Sequence, residues 1–136
     1  MHKRQIIREY VVALLKGKTL AGNKVYGKQV DTSDEVPRII IMARRDSVLT
    51  QHSEEPVKYQ RRLIMDINIE TSGDEDVAND LADEVELLIL GDYELGKNVV
   101  RCVLVDTILL PDVEGEKVFY DVTISLEIDY ISTYGA

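Results

Sequence analysis

Apolar residues recur at helical spacing in two segments of the chain. The first segment covers residues 3–16 and the second residues 76–90. The apolar positions of the first are Ile6, Ile7, Tyr10, Val11, Leu14 and Leu15. Those of the second are Val77, Ala78, Leu81, Ala82, Val85, Leu88 and Ile89. Because each set falls on one side of a helix, the pattern predicts two helices that each bury a single stripe.

The residues around these segments predict where the helices begin and end. Ser72, followed three positions later by Glu75, has the form of a capping box, which would start the second helix there. Gly17 and Gly91 stand where the two helices are expected to end.

The remaining periodic segments predict strands. Residues 59–71 alternate between apolar and polar, and residues 117–132 carry apolar side chains at even positions with mostly polar ones at odd positions. Residues 38–43 are apolar on both sides, which indicates a strand buried on both faces. A short strand at residues 24–26 and a longer one at residues 99–110 complete the set.

Two connections lack any periodicity. Residues 47–57 are polar and irregular, and we interpret them as a mobile loop that starts once Arg44, Arg45 and Asp46 have ended the preceding strand. Residues 111–116 are interpreted as a loop between the last two strands.

This order of elements predicts a single domain over residues 1–136. Strands joined by loops pair as antiparallel hairpins, and two helices with one apolar stripe each cover one face of a sheet. We therefore expect an α+β, two-layer fold with a mostly antiparallel, mixed β-sheet, two helices packed on one face and a long C-terminal β-hairpin. The other face of the sheet should be largely polar.

The predicted last strand is longer than the globule that holds it. At ~3.3 Å per residue it would extend ~50 Å, whereas a compact domain of this length has a diameter of roughly 37 Å. The strand must bend, break at a bulge or project with its hairpin partner. A projecting hairpin with an apolar face needs a partner surface, so the pattern favours self-assembly.

Composition narrows the classes of function. The 136 residues carry a formal net charge of −9, which disfavours a protein that grips nucleic acid through its overall field. The apolar runs are far shorter than the ~20 residues of a membrane span, and the N-terminal segment lacks the pattern of a signal peptide. The single cysteine, Cys102, excludes an internal disulfide and fits a reducing compartment. We therefore expect no membrane partner.

The sequence offers no constellation typical of catalysis. His2 and His52 do not have metal-ligand spacing, and Cys102 lies in a strand pattern without a histidine nearby. The seven acidic residues between positions 74 and 86 follow a helical period rather than that of a calcium loop, so we interpret them as a solvated helix face. We expect no enzyme, no catalytic residues, no cofactor and no metal.

Basic residues flank the first predicted loop. Arg44 and Arg45 precede it, Arg61 and Arg62 follow it, and Lys58 lies between. As consecutive strand residues, the members of each pair are expected to point to opposite faces of the sheet. Two interpretations stay open. The residues protect strand ends and edges, or they meet the acidic helix of a neighbouring subunit through complementary charge.

Several phrases of the sequence follow one another in an order typical of one family. They are the helix at residues 6–15, LAGNKVY at 20–26, VPRIII at 36–41, RRLIMDI at 61–67, the acidic helix at 76–90 and the alternating strand at 121–130. In this order, and over nearly the whole chain, they resemble the phage tail terminator family, the minor tail protein U-like proteins of long-tailed phages and prophages. The resemblance lies in element order and short phrases rather than in a catalytic signature.

The resemblance implies a structural protein of the virion tail that is assembled in the bacterial host cytoplasm. Such a protein would form a homo-oligomeric ring, expected to be a hexamer, on the head-proximal end of the tail tube. It would end tube polymerisation and provide the surface that joins the head. Its partners would be the major tail tube protein and a head-completion or neck protein. Residues 44–58 and 111–116 would contact other subunits or the tube.

A ring of acidic subunits suits a channel for DNA. It multiplies the charge of −9 by the number of subunits, and an acidic wall lets DNA pass without specific binding because it repels the phosphates. Asp121, Glu127 and Asp129 on the polar face of the last strand are the candidates for this wall.

Two other functions stay open. A neck or head-completion connector would belong to the same assembly but contact the portal side. A cytoplasmic, non-phage α+β domain that binds a small molecule or regulates another protein would be a monomer with a defined apolar pocket.

Overall fold

The structure is a computed structural model that describes residues 2–28, 36–52, 57–115 and 117–134. Two helices and five strands form in the order helix, three strands, helix, two strands. The elements are α1 (Lys3–Leu15), β1 (Val25–Tyr26), β2 (Arg38–His52), β3 (Val57–Ser72), α2 (Glu75–Leu90), β4 (Arg101–Glu114) and β5 (Lys117–Tyr134). Among the described helices, none is long and apolar enough to cross a membrane.

The strands form one open sheet with the order β1-β2-β3-β5-β4. Only β1 and β2 run parallel, and every other pair of neighbours is antiparallel. β5 pairs with β3 from Val57 opposite Tyr134 to Ser72 opposite Phe119, and on its other side it forms a hairpin with β4. The predicted α+β fold, mixed sheet and long C-terminal hairpin are confirmed.

The core lies between the helices and one face of the sheet. α1 contributes Ile7, Val11 and Leu15, and α2 contributes Ala78, Leu81, Ala82, Val85 and Ile89. The sheet contributes Ile39, Ile41, Leu63, Met65, Ile67, Ile69, Val122, Ile124, Leu126, Ile128 and Tyr130. The even positions of β5 from Val122 to Tyr130 are buried, as its alternation predicted. We call this side of the sheet the helix-facing side and the other the open face.

The second helix begins differently from the prediction. Ser72 is the last residue of β3, and Asp74 is the N-cap, whose side chain accepts a hydrogen bond from the Asp76 N–H at 2.9 Å. The capping box at Ser72 is therefore wrong, because an Asp nearer the helix satisfies the same free N–H groups. The expected ends of the helices are confirmed, with Gly17 just after α1 at φ +76° and Gly91 capping α2.

Both predicted loops are wrong over most of their length. β2 continues to His52 and β3 already begins at Val57, with Ser47 opposite Arg62 and Thr50 opposite Gln60. Residues 53–56, also assigned to that loop, lie outside the described residues. This part of the hairpin lies beyond the helices, so neither face is fully buried and the sequence loses the period of two that marks a strand.

The predicted loop at residues 111–116 is strand as far as Glu114. Pro111 lies opposite Tyr120 in the ladder, which is compatible with its position because β4 is an edge strand. Gly115, at φ +63°, follows the strand and begins the connection to β5.

The helices are too short to cover the sheet. β5 has 18 residues and spans about 59 Å at the usual strand rise. α1 and α2, with 13 and 16 residues, span about 20 and 24 Å. Exposed apolar side chains mark the uncovered ends: Val48, Leu49 and Ile131 at one end, and Leu110 and Val113 at the other.

We expect Leu126→Ala to lower the free energy of unfolding by about 3 kcal/mol, because the side chain is fully buried and its removal leaves a cavity. Urea denaturation followed by circular dichroism measures this. Leu110→Ala is the matched control, since that side chain is 58% exposed, and it should change the free energy by no more than about 0.5 kcal/mol. Equal losses in the two variants would contradict this core.

Candidate assembly surfaces

The open face carries cross-strand ion pairs along much of its length. Arg38 of β2 pairs with Glu70 of β3, and Arg44 Nε lies 2.9 Å from Asp66 Oδ2. Asp66 also accepts a hydrogen bond from the Ser125 hydroxyl of β5 at 2.8 Å. These contacts place a polar layer where an antiparallel sheet meets water without a second layer of helices.

A four-residue network continues this layer across β3, β5 and β4. Arg62 donates from Nε and NH2 to the two oxygens of Asp129, at 2.8 and 3.1 Å. Its Nε also lies 3.1 Å from Glu127 Oε1. Arg101 reaches Glu127 at 3.0 Å and Asp129 at 3.5 Å. The two carboxylates therefore share two guanidinium groups.

The network shifts the pKa of its members. The hydrogen bond from Arg62 lowers the pKa of Asp129, although burial acts in the opposite direction. The Asp129 side chain is only 8% exposed, so its charge depends on these partners. The same hydrogen bond raises the pKa of Arg62.

The network includes two of the three residues predicted to form an acidic wall. Glu127 and Asp129 are both paired with arginines, and Asp121, opposite Glu70 and Leu110, is half-buried. The strip of β5 that these residues occupy is close to neutral where Arg62 and Arg101 lie.

The predicted basic residues do not form one cluster. Arg61 lies opposite Tyr130 on the helix-facing side, whereas Arg62 lies opposite Asp129 on the open face. That pair points to opposite faces, as predicted. Lys58 is exposed at the end of the sheet, opposite His52 of β2.

The first pair departs from the same expectation. A bulge in β2 between Ala43 and Arg45 interrupts the alternation. Arg44 bonds to Asp66, and Arg45 donates to the Ser47 hydroxyl at 3.1 Å, so both arginines lie on the open face. Arg44, Arg45 and the bulge lie on the part of β2 that extends beyond its pairing with β1, so they fit the edge-protection interpretation.

A buried polar cluster at one end of α1 was not predicted from the sequence. Asp46, whose side chain is 8% exposed, accepts hydrogen bonds from the Tyr130 hydroxyl and from Arg4 NH1, the latter at 2.8 Å. Arg61 NH1 lies 3.7 Å from the same oxygen. Burial and the hydrogen bond to Asp46 raise the pKa of Tyr130. The cluster ties the first turn of α1 to β2 and β5, and the bulge that turns Asp46 toward α1 gives no signal in the sequence.

The edge strand β4 is the most apolar exposed feature among the described residues. Six of its apolar side chains are between 38% and 64% exposed. They are Val103, Val105, Ile108, Leu109, Leu110 and Val113. The outer edge of β4 has no partner strand in the described part of the chain. An apolar edge of this length is typical of a surface that another chain covers.

Three further features of the described residues bear on metal binding, thiol chemistry and ligand binding. The described residues contain no group of three or more side chains suited to a metal ion. Burial raises the pKa of Cys102 to about 11, the opposite of what a nucleophilic thiol needs. An open cavity of about 330 Å³ lies between α1 and β1, lined by Arg8, Glu9, Val12, Val25, Tyr26, Gly27 and Lys28.

The chain is similar to a solved virion structure, at low sequence identity. No protein-family model matches the chain, and no curated protein matches it. Among solved structures, a chain from "Virion of native gene transfer agent (GTA) particle" is similar at a TM-score of 0.31 and 15% sequence identity, covering 88% of this chain and 84% of that chain. A TM-score of this size does not establish a shared fold.

We expect Arg62→Ala to lower the free energy of unfolding at neutral pH, because it leaves the Asp129 carboxylate with Arg101 as its remaining guanidinium partner. Arg45→Ala is the control and should have little effect, since Arg45 is exposed and bonds to Ser47. Urea denaturation of both variants measures the difference.

The pH dependence of this effect has a definite sign. The folded pKa of Asp129 lies below its unfolded value, so its stabilisation is present above the unfolded pKa and is lost as pH falls through the folded one. The gap between wild type and Arg62→Ala should therefore narrow in acid. A gap that stays constant down to the acid transition would contradict the role of Asp129.

Proposed function

We propose that the chain is a structural subunit of a phage-like virion and that it acts as a tail terminator. Several copies form a ring on the head-proximal end of the tail tube, end its polymerisation and present the surface to which the head attaches. The major tail tube protein lies on one side of the ring and a head-completion or neck protein on the other. DNA passes through the ring without specific binding.

The observation that carries the proposal is the exposed apolar edge of β4. A protein that works alone in water protects an edge strand with charges, bulges or a covering loop, as Arg44, Arg45 and the bulge do on the part of β2 beyond its pairing with β1. β4 has a bulge after Leu104, but apolar side chains lie on both sides of it. If another chain packed against β4, these apolar side chains would be buried.

The long hairpins support a role at the end of a tube. They carry the sheet past the helices at both ends, so a ring of side-by-side copies would present one set of hairpin ends to the tube and the other to the head. The resemblance in element order to tail terminators points the same way.

A direct test uses tail tubes assembled from the major tail tube protein without a terminator. Added protein should bind one end of each tube and stop further lengthening, which electron microscopy of negatively stained tubes measures as a narrowed length distribution. Tubes that keep lengthening while the protein binds to head or portal particles would favour a neck connector instead. No binding to either would overturn the proposal.

The cavity between α1 and β1 favours the small-molecule alternative as a second candidate. Its volume of about 330 Å³ is at the lower limit for ligand pockets, and it mixes charged and apolar walls. A protein that remains strictly monomeric at all concentrations and neither caps tubes nor binds heads would leave this candidate in place of the structural one.

We expect the double variant Ile108→Lys/Leu110→Lys to fold normally but to lose tube capping, because two charges on the edge of β4 oppose its burial. Leu20→Lys is the control, since Leu20 is as exposed as Leu110 but lies in the turn after α1. Circular dichroism checks the fold and the tube-length assay checks function. Capping by the double variant at wild-type level would show that β4 is not the covered surface.

A further inference from the structure

The charge of the chain is divided unevenly between its two halves. Residues 1–52 carry ten basic and five acidic side chains, a formal charge of +5. Residues 53–136 carry six basic and twenty acidic side chains, a formal charge of −14. Between residues 74 and 96 there are nine acidic side chains and no basic one. The net charge of −9 therefore hides a strong asymmetry.

The fold places basic and acidic residues on opposite sides of the molecule. α1 packs on β1 and β2, at one edge of the sheet, and α2 packs on β3 and β5, beside the edge strand β4. We call the outer side of α1, β1 and β2 the basic flank, marked by Arg8, Lys28, Arg44 and Arg45, with Glu9 beside Arg8. We call the outer side of α2 and β4 the acidic flank, marked by Asp83, Glu86 and Asp106.

The acidic residues of α2 include some that face away from α1. Glu84 accepts a hydrogen bond from the Leu20 N–H at 2.9 Å, which fixes the side of the helix that faces the turn after α1. Since each helical residue is rotated by about 100°, Asp83 and Glu86 point about 100° and 160° away from Glu84. The last turn of α2 holds no basic residue, so the negative end of its dipole is not compensated there.

We infer that the basic flank of one copy binds the acidic flank of the next, head to tail, and that this contact covers β4. The inference rests on the proposed function and names the subunit contact that the ring requires. A two-fold contact between identical flanks would place like charges together, whereas a head-to-tail contact pairs opposite charges at every interface. Such a contact repeats from copy to copy and forms a ring when its rotation closes.

The geometry of the two edges agrees with this contact. β2 and β4 run in opposite directions because three antiparallel pairings separate them. A rotation axis parallel to the strands keeps their direction in every copy, so β4 of one copy meets the part of β2 beyond Ile40 in the next copy, in the antiparallel sense. β2 also offers apolar side chains to this edge, with Met42, Val48 and Leu49 exposed.

One charged pair lies at matching height. Arg45 lies opposite Ile64, which lies opposite Glu127 of β5. Asp106 lies opposite Ser125 of β5, so the two residues are offset by about 7 Å along the strands. Both lie on the open face. With copies side by side, Arg45 of one comes within reach of Asp106 of the next.

Charge reversal tests this directly. Variant A is Lys28→Glu/Arg45→Glu on the basic flank, and variant B is Asp83→Lys/Asp106→Lys on the acidic flank; all four side chains are exposed. Each variant alone places like charges across every contact. Its self-association should therefore be weaker than that of wild type by about tenfold or more. Sedimentation velocity at low ionic strength measures this. An equimolar mixture of A and B restores opposite charges at every contact and should regain association.

The control is Lys58→Glu/Lys117→Glu, which reverses two charges at the ends of the sheet, away from both flanks. It should associate like wild type. Association of A or B at wild-type strength, or a mixture that gains nothing over A and B alone, would overturn the inference. If wild type is monomeric up to its solubility limit, variants A and B and their mixture are compared by tube capping, with the same outcomes and with Leu20→Lys as the control, because Lys58 and Lys117 lie at the hairpin ends proposed to meet the tube or the head. Wild type that associates but does not cap tubes would overturn the proposed function and leave the head-to-tail contact standing.

Discussion

The length of β5 relative to the helices is the constraint on which the rest of the structure depends. An 18-residue strand paired on both sides fixes a long sheet, and two helices of 13 and 16 residues can bury only its middle. The fully buried side chains, from Leu63 to Ile69 on β3 and Val122 to Tyr130 on β5, lie in this middle. The hairpin ends and the edge of β4 extend beyond this core. The domain therefore has a well-buried core, while its sheet ends and the edge of β4 leave apolar side chains exposed.

The open face shows how the sheet remains in water without a second layer. Arginines on three strands bridge carboxylates on their neighbours, and the pairing between Arg62 and Asp129 is the most buried of these bridges on β5. Cross-strand pairing of this kind neutralises the charge of the face locally. The negative charge that remains is concentrated on α2 and the turn that follows it. The paired charges of the open face therefore stabilise the sheet, whereas the acidic residues of α2 make one side of the molecule negative.

The sequence predicted the parts of the fold in which one side of an element is buried. The alternation in β5 and the stripes of α1 and α2 follow directly from burial, and each is confirmed. Residues 47–52 lack that signal because the hairpin there is held by backbone pairing with β3 rather than by a buried face. The bulge in β2 could not be predicted, so neither the common face of Arg44 and Arg45 nor the buried position of Asp46 was. The partner of Arg62 lies 67 residues away at Asp129, and only the register of β3 and β5 reveals it.

The central claim is that neighbouring copies of the chain cover the exposed edge of β4 in each domain. Cryo-electron microscopy of the protein bound to the end of a tail tube tests it most directly. The account predicts a closed ring in which β4 and α2 of each copy contact α1 and β2 of the next, with hairpin ends against the tube. A single copy at the tube end, or pairs of copies joined through identical flanks with β4 exposed to solvent, would contradict it.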